Sequence, residues 1–178
     1  MNKVVTIGVI GYSADEFFAA LQDAGVDTLL DIRRRRAVRG RDYAFANSQR
    51  LQARLAELGI RYVHRLDLAP PGSLRRIQAA ADQTAGVSNR RRAALDPAYV
   101  DAYEREVLDS FDARALPGEL PDGARVVALL CVESQPAACH RALVAARLGE
   151  VLGVEVQHIV QKDGTTDDTD FTDSAGNL

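Results

Sequence analysis

Arg125-Val126-Val127-Ala128-Leu129-Leu130-Cys131 is apolar at every position after its first. Successive side chains of a strand point to opposite faces of a sheet. A strand apolar on both faces is buried on both, as in parallel sheets covered by helices. The residues on either side fit that reading. Gln135–Leu152 reads as a helix, with Ser134 as its cap and Pro136 in its first turn. Val154–Val160 then reads as the last strand.

The amino-terminal half alternates in the same way. Val4–Ile10 is β-branched and apolar and reads as a buried strand. Ser13-Ala14-Asp15-Glu16 has the spacing of a capping box and starts a helix, which Gly25 ends. Asp27–Ile32 is the second strand, Ser48–Leu58 a helix, and Ile60–His64 the third strand. Helices are expected over Leu74–Ala85 and Pro97–Leu108, separated by the basic break Arg90-Arg91-Arg92. Strands that alternate with helices predict one α/β domain over residues 1–160, a three-layer Rossmann-like fold with a mostly parallel sheet flanked by helices.

The chain has 178 residues, enough for one domain that needs no disulfides to hold its core. Its apolar opening is too short to cross a membrane and lacks the pattern of a signal peptide, so a cytoplasmic protein with no membrane partner is expected. There both cysteines, Cys131 and Cys139, would be free thiols. Residues 161–178 carry five aspartates against Lys162 and read as an acidic, disordered tail. Its charge suggests a competitor for the basic loop. The sequence leaves the oligomeric state open.

The loop after the second strand is the most basic stretch. Arg33, Arg34, Arg35, Arg36, Arg39 and Arg41 crowd into it, with Tyr43 and Phe45 following. Arginines grip phosphates and aromatic rings stack on bases, so this loop reads as a nucleic-acid contact or as a solvated basic loop. The expected partner is a phosphate-bearing small molecule or a nucleic acid. No cofactor is expected, because there is no G-x-G-x-x-G and no Walker lysine motif.

The densest group of chemically active residues lies where the apolar strand meets its helix: Cys131, Glu133, Cys139, His140 and Arg141. In parallel sheets, ligands bind beyond the carboxyl ends of the strands. Three segments are expected to converge there: Gly11-Tyr12-Ser13, Asp31-Ile32-Arg33 and Cys131-Val132-Glu133. A helix start attracts anions and lowers thiol pKa values. Asp31, Glu133, Cys139 and His140 are therefore the catalytic candidates, and Ser13, Arg33 and Arg141 the anion-binding ones. Several have a plainer alternative: core packing for the cysteines, local capping or pairing for His140, an ion pair for Asp31 and Arg141. The spacing C-x7-C-H is not a usual zinc pattern, and no metal is expected.

These motifs resemble the domain-of-unknown-function 488 family. Thr6-Ile7-Gly8 through Gly11-Tyr12-Ser13, with Glu16-Phe17, is similar to its opening. Asp31-Ile32-Arg33, Gly59–His64, and Leu129-Leu130-Cys131-Val132-Glu133 with Cys139-His140-Arg141 match its later motifs. The resemblance implies a compact α/β domain and a shared site of Asp31, Arg33, Cys131, Glu133, Cys139, His140 and Arg141, and leaves the reaction open. Three functions follow as expectations. The first is an enzyme, a hydrolase or transferase acting on a phosphate-bearing substrate such as a nucleotide or nucleic acid. The second is a nucleic-acid-binding module without catalysis. The third is a sulfur-transfer or redox protein working through Cys139.

Overall fold

The computed structural model describes residues 1–38, 40–88 and 91–161. Arg39, Asn89, Arg90 and residues 162–178, with almost all of the acidic tail, lie outside the described residues. Five strands, β1 (Lys3–Gly8), β2 (Thr28–Asp31), β3 (Arg61–His64), β4 (Val126–Cys131) and β5 (Glu155–Ile159), form one sheet in the order β3-β2-β4-β1-β5. Every pairing is parallel.

The helices are α1 (Ala14–Asp23), α2 (Ser48–Glu57), α3 (Gly72–Thr84), α4 (Pro97–Tyr103), α5 (Leu116–Glu119) and α6 (His140–Leu152). Alternation along the strands sorts them into two cores. Val5, Ile7, Leu29, Ala128 and Leu130 pack against Phe17, Phe18 and Leu21 of α1 and Leu51 and Leu55 of α2. Val4, Leu30, Val127 and Leu129 pack on the other face, against Leu74 of α3, Tyr99 and Tyr103 of α4, and Val144 and Leu148 of α6. The result is the three-layer α/β/α arrangement. The apolar stretch that ends at Cys131 is the central strand of the five.

Two elements differ from the sequence reading. The helix expected over Gln135–Leu152 is broken. Pro136–Ala138 form a single 3-10 turn, Cys139 is extended with φ −143° and ψ 139°, and α6 starts at His140. The reason lies in where the carbonyls go: Ala137 accepts from the Leu95 amide and Ala138 from the Arg92 guanidinium, so neither is free to continue a helix. Ser134 is not the cap; that place belongs to Cys139. The helix expected over Pro97–Leu108 keeps its length but finishes as a π-helical turn, Glu104–Leu108. The capping box at Ser13 forms as read, with the Glu16 amide donating to Ser13 Oγ and the Ser13 amide to the Glu16 carboxylate.

Asp27 locks the amino ends of three strands. Its carboxylate accepts the amides of Arg125 and Val126, the Thr28 hydroxyl and the Arg61 guanidinium. Burial opposes ionisation of Asp27 most strongly, but hydrogen bonds from Val126, Thr28, Arg125 and Arg61 together hold its pKa below the ordinary value. A depressed carboxylate pKa adds stability above the unfolded pKa, and that stability is lost as pH falls through the folded one. Asp27→Asn turns an N–H donor toward groups that themselves donate, and is expected to cost about 2 kcal/mol at pH 7. The gap to wild type should narrow as pH falls below about 4, where the unfolded-state carboxylate takes up a proton, and close further once the lower native pKa is passed. Urea midpoints at pH 7 and pH 3 check this; an equal gap at both would contradict it.

Candidate functional site

The strand order creates a fork. From β2 the chain moves outward through α2 to β3, and from the adjacent β4 it moves the other way through α6 to β5. The segments leaving two neighbouring strands part there, which opens a crevice beyond their carboxyl ends. A cavity of about 300 Å³ occupies that place. Cys131, Val132 and Glu133 enter it from the end of β4, Cys139 and His140 from the start of α6, and Arg33, Arg34 and Arg35 from the end of β2. Its far wall comes from α3 and the segment after it: Arg75, Gln78, Asp82, Arg92 and Tyr99. Five arginines face two carboxylates across this space.

The floor is a thiol–imidazole group. Nδ1 of His140 lies 3.7 Å from Cys131 Sγ and 3.8 Å from Cys139 Sγ. Its Nε2 lies 3.2 Å from the Ile32 carbonyl at the end of β2, which the N–H form of that nitrogen satisfies. The Tyr103 ring packs on the imidazole at 5.6 Å, and Tyr103 is itself fixed by donating its hydroxyl to the Leu68 carbonyl. The two sulfurs titrate as a pair. The hydrogen bond with Cys139, followed by burial, pushes the Cys131 thiol up. Burial opposes ionisation of Cys139 too, but the hydrogen bond from Cys131, the charge of His140 and the charge of Arg141 together outweigh it and bring that thiol down. The two shifts run in opposite directions, with Cys139 the more acidic thiol of the pair. The two sulfurs and a ring nitrogen of His140 all lie within 4.8 Å of one another, so this group has the donor set for a soft metal ion.

The walls are braced by a polar chain. Gln78 accepts the Asp96 amide and donates to Asp82, Asp82 pairs with Arg92 at 2.7 Å, and Arg92 donates to the Ala138 carbonyl and stands 3.6 Å from Glu133. This chain ties α3 to the turn just before Cys139. Burial raises the pKa of Glu133, and the negative charge on Cys139 adds to the effect. At the rim, Arg35 and Arg75 are exposed and their guanidinium groups have no hydrogen-bond or ion-pair partner among the described residues.

Several site candidates sit elsewhere or are already engaged. Asp31 is fully buried and takes the ion-pair alternative: its two oxygens accept the Arg33 amide, the Arg33 guanidinium twice and the Tyr62 hydroxyl. It does not line the cavity, and no oxygen is left to act as a base. Arg33 borders the cavity, but its donors go to Asp31 and the Ala46 carbonyl. Arg141 is fully buried, spans the carbonyls of Glu133 and Ser134, and does not line the cavity. Ser13 spends its hydroxyl on Glu16, at the head of a helix on the opposite face of the sheet. The Gly11-Tyr12-Ser13 segment therefore stays out of the crevice.

The basic loop does not form one stripe. Arg34 donates to the carbonyls of Ala69 and Pro70, Arg36 sits beside the Tyr62 hydroxyl, and Arg41 lines a separate depression with Asp15 and Arg54. Tyr43 and Phe45 are half-buried and pack against the α1–α2 core, with Phe45 also lining that depression. Among these arginines Arg35 alone is both free and directed to the cavity, while Arg39 lies outside the described residues. The α3 wall was not foreseen as part of a site. Its signal was present in the buried face Leu74, Gln78, Asp82, where two polar residues recur at helical spacing on a side that should be apolar.

None of the helices among the described residues is long and apolar enough to cross a membrane. Comparison with curated proteins and with solved structures found no match. A family model described as domain of unknown function DUF488 matches residues 13–148, a span that runs from the head of α1 into α6 and contains every residue lining the cavity. With the fork, the Cys131–Glu133 strand end and the Cys139-His140-Arg141 helix start all inside that span, the chain belongs to the DUF488 family.

Proposed function

We propose that the protein is an enzyme acting on a phosphate-bearing small molecule of nucleotide size, taken up in the cavity at the β2–β4 fork. The observation that carries this reading is the pairing of two free arginines at the rim, Arg35 and Arg75, with a thiol–imidazole floor beneath them. Arginine presents a planar fork of donors that suits phosphate, and a charge-assisted contact is stronger than a neutral one. A volume of about 300 Å³ is at the small end of ligand pockets and suits a small molecule better than a duplex. In this reading Arg35 and Arg75 take over the anion contact expected of Arg33 and Arg141. Cys139 is the electron-rich group, His140 positions it, and Glu133 borders the reacting end of the substrate. Hydrolase and transferase chemistry both fit this arrangement.

Binding of inorganic phosphate and of adenosine monophosphate, read by calorimetry, tests it. Each arginine contact is expected to contribute about 1.5–3 kcal/mol, so Arg35→Ala with Arg75→Ala should weaken binding roughly 100-fold or more. Arg114→Ala, an exposed position away from the cavity, should leave it unchanged. With two phosphate contacts the salt dependence should be shallow. Equal affinity in the double variant, or a steep salt slope seen only with long single-stranded nucleic acid, would turn the assignment toward the nucleic-acid module.

A further inference from the structure

We propose that Cys131, Cys139 and His140 bind one thiophilic divalent metal ion, of the Zn²⁺ type, at the floor of the cavity. The three residues come from the end of β4, the cap of α6 and its first residue, and all three line the same open space. A tetrahedral zinc ion takes sulfur at about 2.3 Å and imidazole nitrogen at about 2.0–2.1 Å, which sets sulfur and nitrogen about 3.6 Å apart. The observed separations from Nδ1 are 3.7 and 3.8 Å. The two sulfurs lie within 4.8 Å of each other, and sulfurs on a tetrahedral zinc ion stand about 3.8 Å apart, so an inward movement of about an ångström or less would close the site.

The imidazole is already arranged as a ligand. A metal-bound histidine commonly donates its other ring N–H to a carbonyl or carboxylate, which fixes the ring and leaves the ligating nitrogen bare. Here Nε2 faces the Ile32 carbonyl at 3.2 Å, and Nδ1 is the ring nitrogen nearer to both sulfurs, with Cys131 Sγ also 4.0 Å from Nε2. Two thiolates would balance the charge of a divalent ion. The fully buried Arg141 guanidinium, next in sequence to His140, has no carboxylate within ion-pair distance among the described residues and leaves a positive charge in the same region. Three protein ligands opening on a cavity is the composition of catalytic zinc centres, where the fourth position takes water or substrate.

The spacing concealed this set. A C-x7-C-H run does not read as a zinc motif because common motifs assume a tight knuckle. Here residues 132–138 run out through a loop and a 3-10 turn and return, which places Cys139 beside Cys131. That the ion serves the reaction rests on the proposed function; that it binds does not.

The test uses the full chain, reduced and metal-free, titrated with Co²⁺ alone and then with Zn²⁺ alone. One equivalent of Co²⁺ is expected to give a thiolate-to-cobalt charge-transfer band in the near ultraviolet with intense tetrahedral d–d absorption, and Zn²⁺ should abolish both. Cys131→Ser, Cys139→Ser and His140→Asn, each checked for folding by circular dichroism, should weaken Zn²⁺ binding roughly 100-fold or more, beyond the usual effect of removing an outer-shell partner. Should a serine variant fail to fold, slower alkylation of both cysteines of the wild-type chain in Zn²⁺ gives the same reading. A reduced chain with no charge-transfer band, or a band that survives in both serine variants, overturns the proposal. Arg35→Ala with Arg75→Ala should keep the cobalt band. Metal binding with no arginine-dependent phosphate binding would sink the function and leave the site; the reverse would sink the site and leave the function.

Discussion

Gly8→Ala is expected to destabilise the protein by more than about 3 kcal/mol, toward the upper end of single-residue effects. Gly8 ends β1 opposite Cys131 of β4, and the segment after β4 folds directly over it. The amides of Val9 and Ile10 bond to the carbonyls of Cys131 and Val132, which holds this crossing shut. A Cβ on residue 8 would overlap the Glu133 carbonyl oxygen, lie 2.8 Å from the carbon that bears it, and come within 3.1 Å of Arg141 Nη1. The first two are backbone atoms and cannot swing aside as a side-chain tip would. The requirement is one of space, because Gly8 does not have a positive φ. Either β1 or the 132–134 segment must move, and with it the carbonyl that Arg141 grips. Gly118→Ala is the control. Gly118 is exposed in α5 and has no neighbour within 4 Å of an added Cβ, so that change should be neutral or slightly stabilising. Urea unfolding of the two variants measures the contrast, and equal midpoints would mean that the loop is free to yield.

This crowding shows which parts of the structure were legible from residue order. Val127–Leu130, and Val4, Val5 and Ile7 of β1, put apolar side chains on both faces because both faces are covered, the pattern expected of a central parallel strand. The order of the strands is a different matter. Whether β4 inserts between β2 and β1 depends on which helix covers which face, and local pattern does not record it. The floor of the site was legible because its members are neighbours in sequence and lie at a strand-to-helix junction, where ligands gather in this fold class. The wall was not, because Arg75, Gln78 and Asp82 reach the cavity only through the packing of α3 beside α4. The fate of the charges was hidden for the same reason. Arg35 at the rim and Arg33 sealed against Asp31 are two residues apart and chemically identical, and only the tertiary structure separates a cation that can meet a ligand from one already satisfied.

Arg141 makes that distinction measurable. Arg141→Ala is expected to lose about 4 kcal/mol of stability, because two charge-assisted hydrogen bonds disappear and a large buried volume empties. Its Nη1 and Nη2 donate to the carbonyls of Glu133 and Ser134, which would be left without that partner, while Nε already has none. Arg141→Lys keeps the charge, but a single ammonium replaces a planar fork, so its loss should be intermediate. Arg141→Met fills most of the volume without serving either carbonyl and should fall close to alanine. The guanidinium also holds the segment that carries Glu133 against the end of β1, so the amides of Val9 and Ile10 should lose hydrogen-exchange protection in the alanine variant before the rest of the sheet does. These effects distinguish a brace from a ligand-binding residue. A brace lowers the urea midpoint whether or not phosphate is present, and in the fraction that remains folded it leaves the arginine-dependent contact at the rim intact. An anion-binding Arg141 would do the opposite, keeping the midpoint and losing phosphate affinity. That result would require the guanidinium to leave its two carbonyls and turn into the cavity, where it would stand beside Cys139 as a direct partner of the substrate.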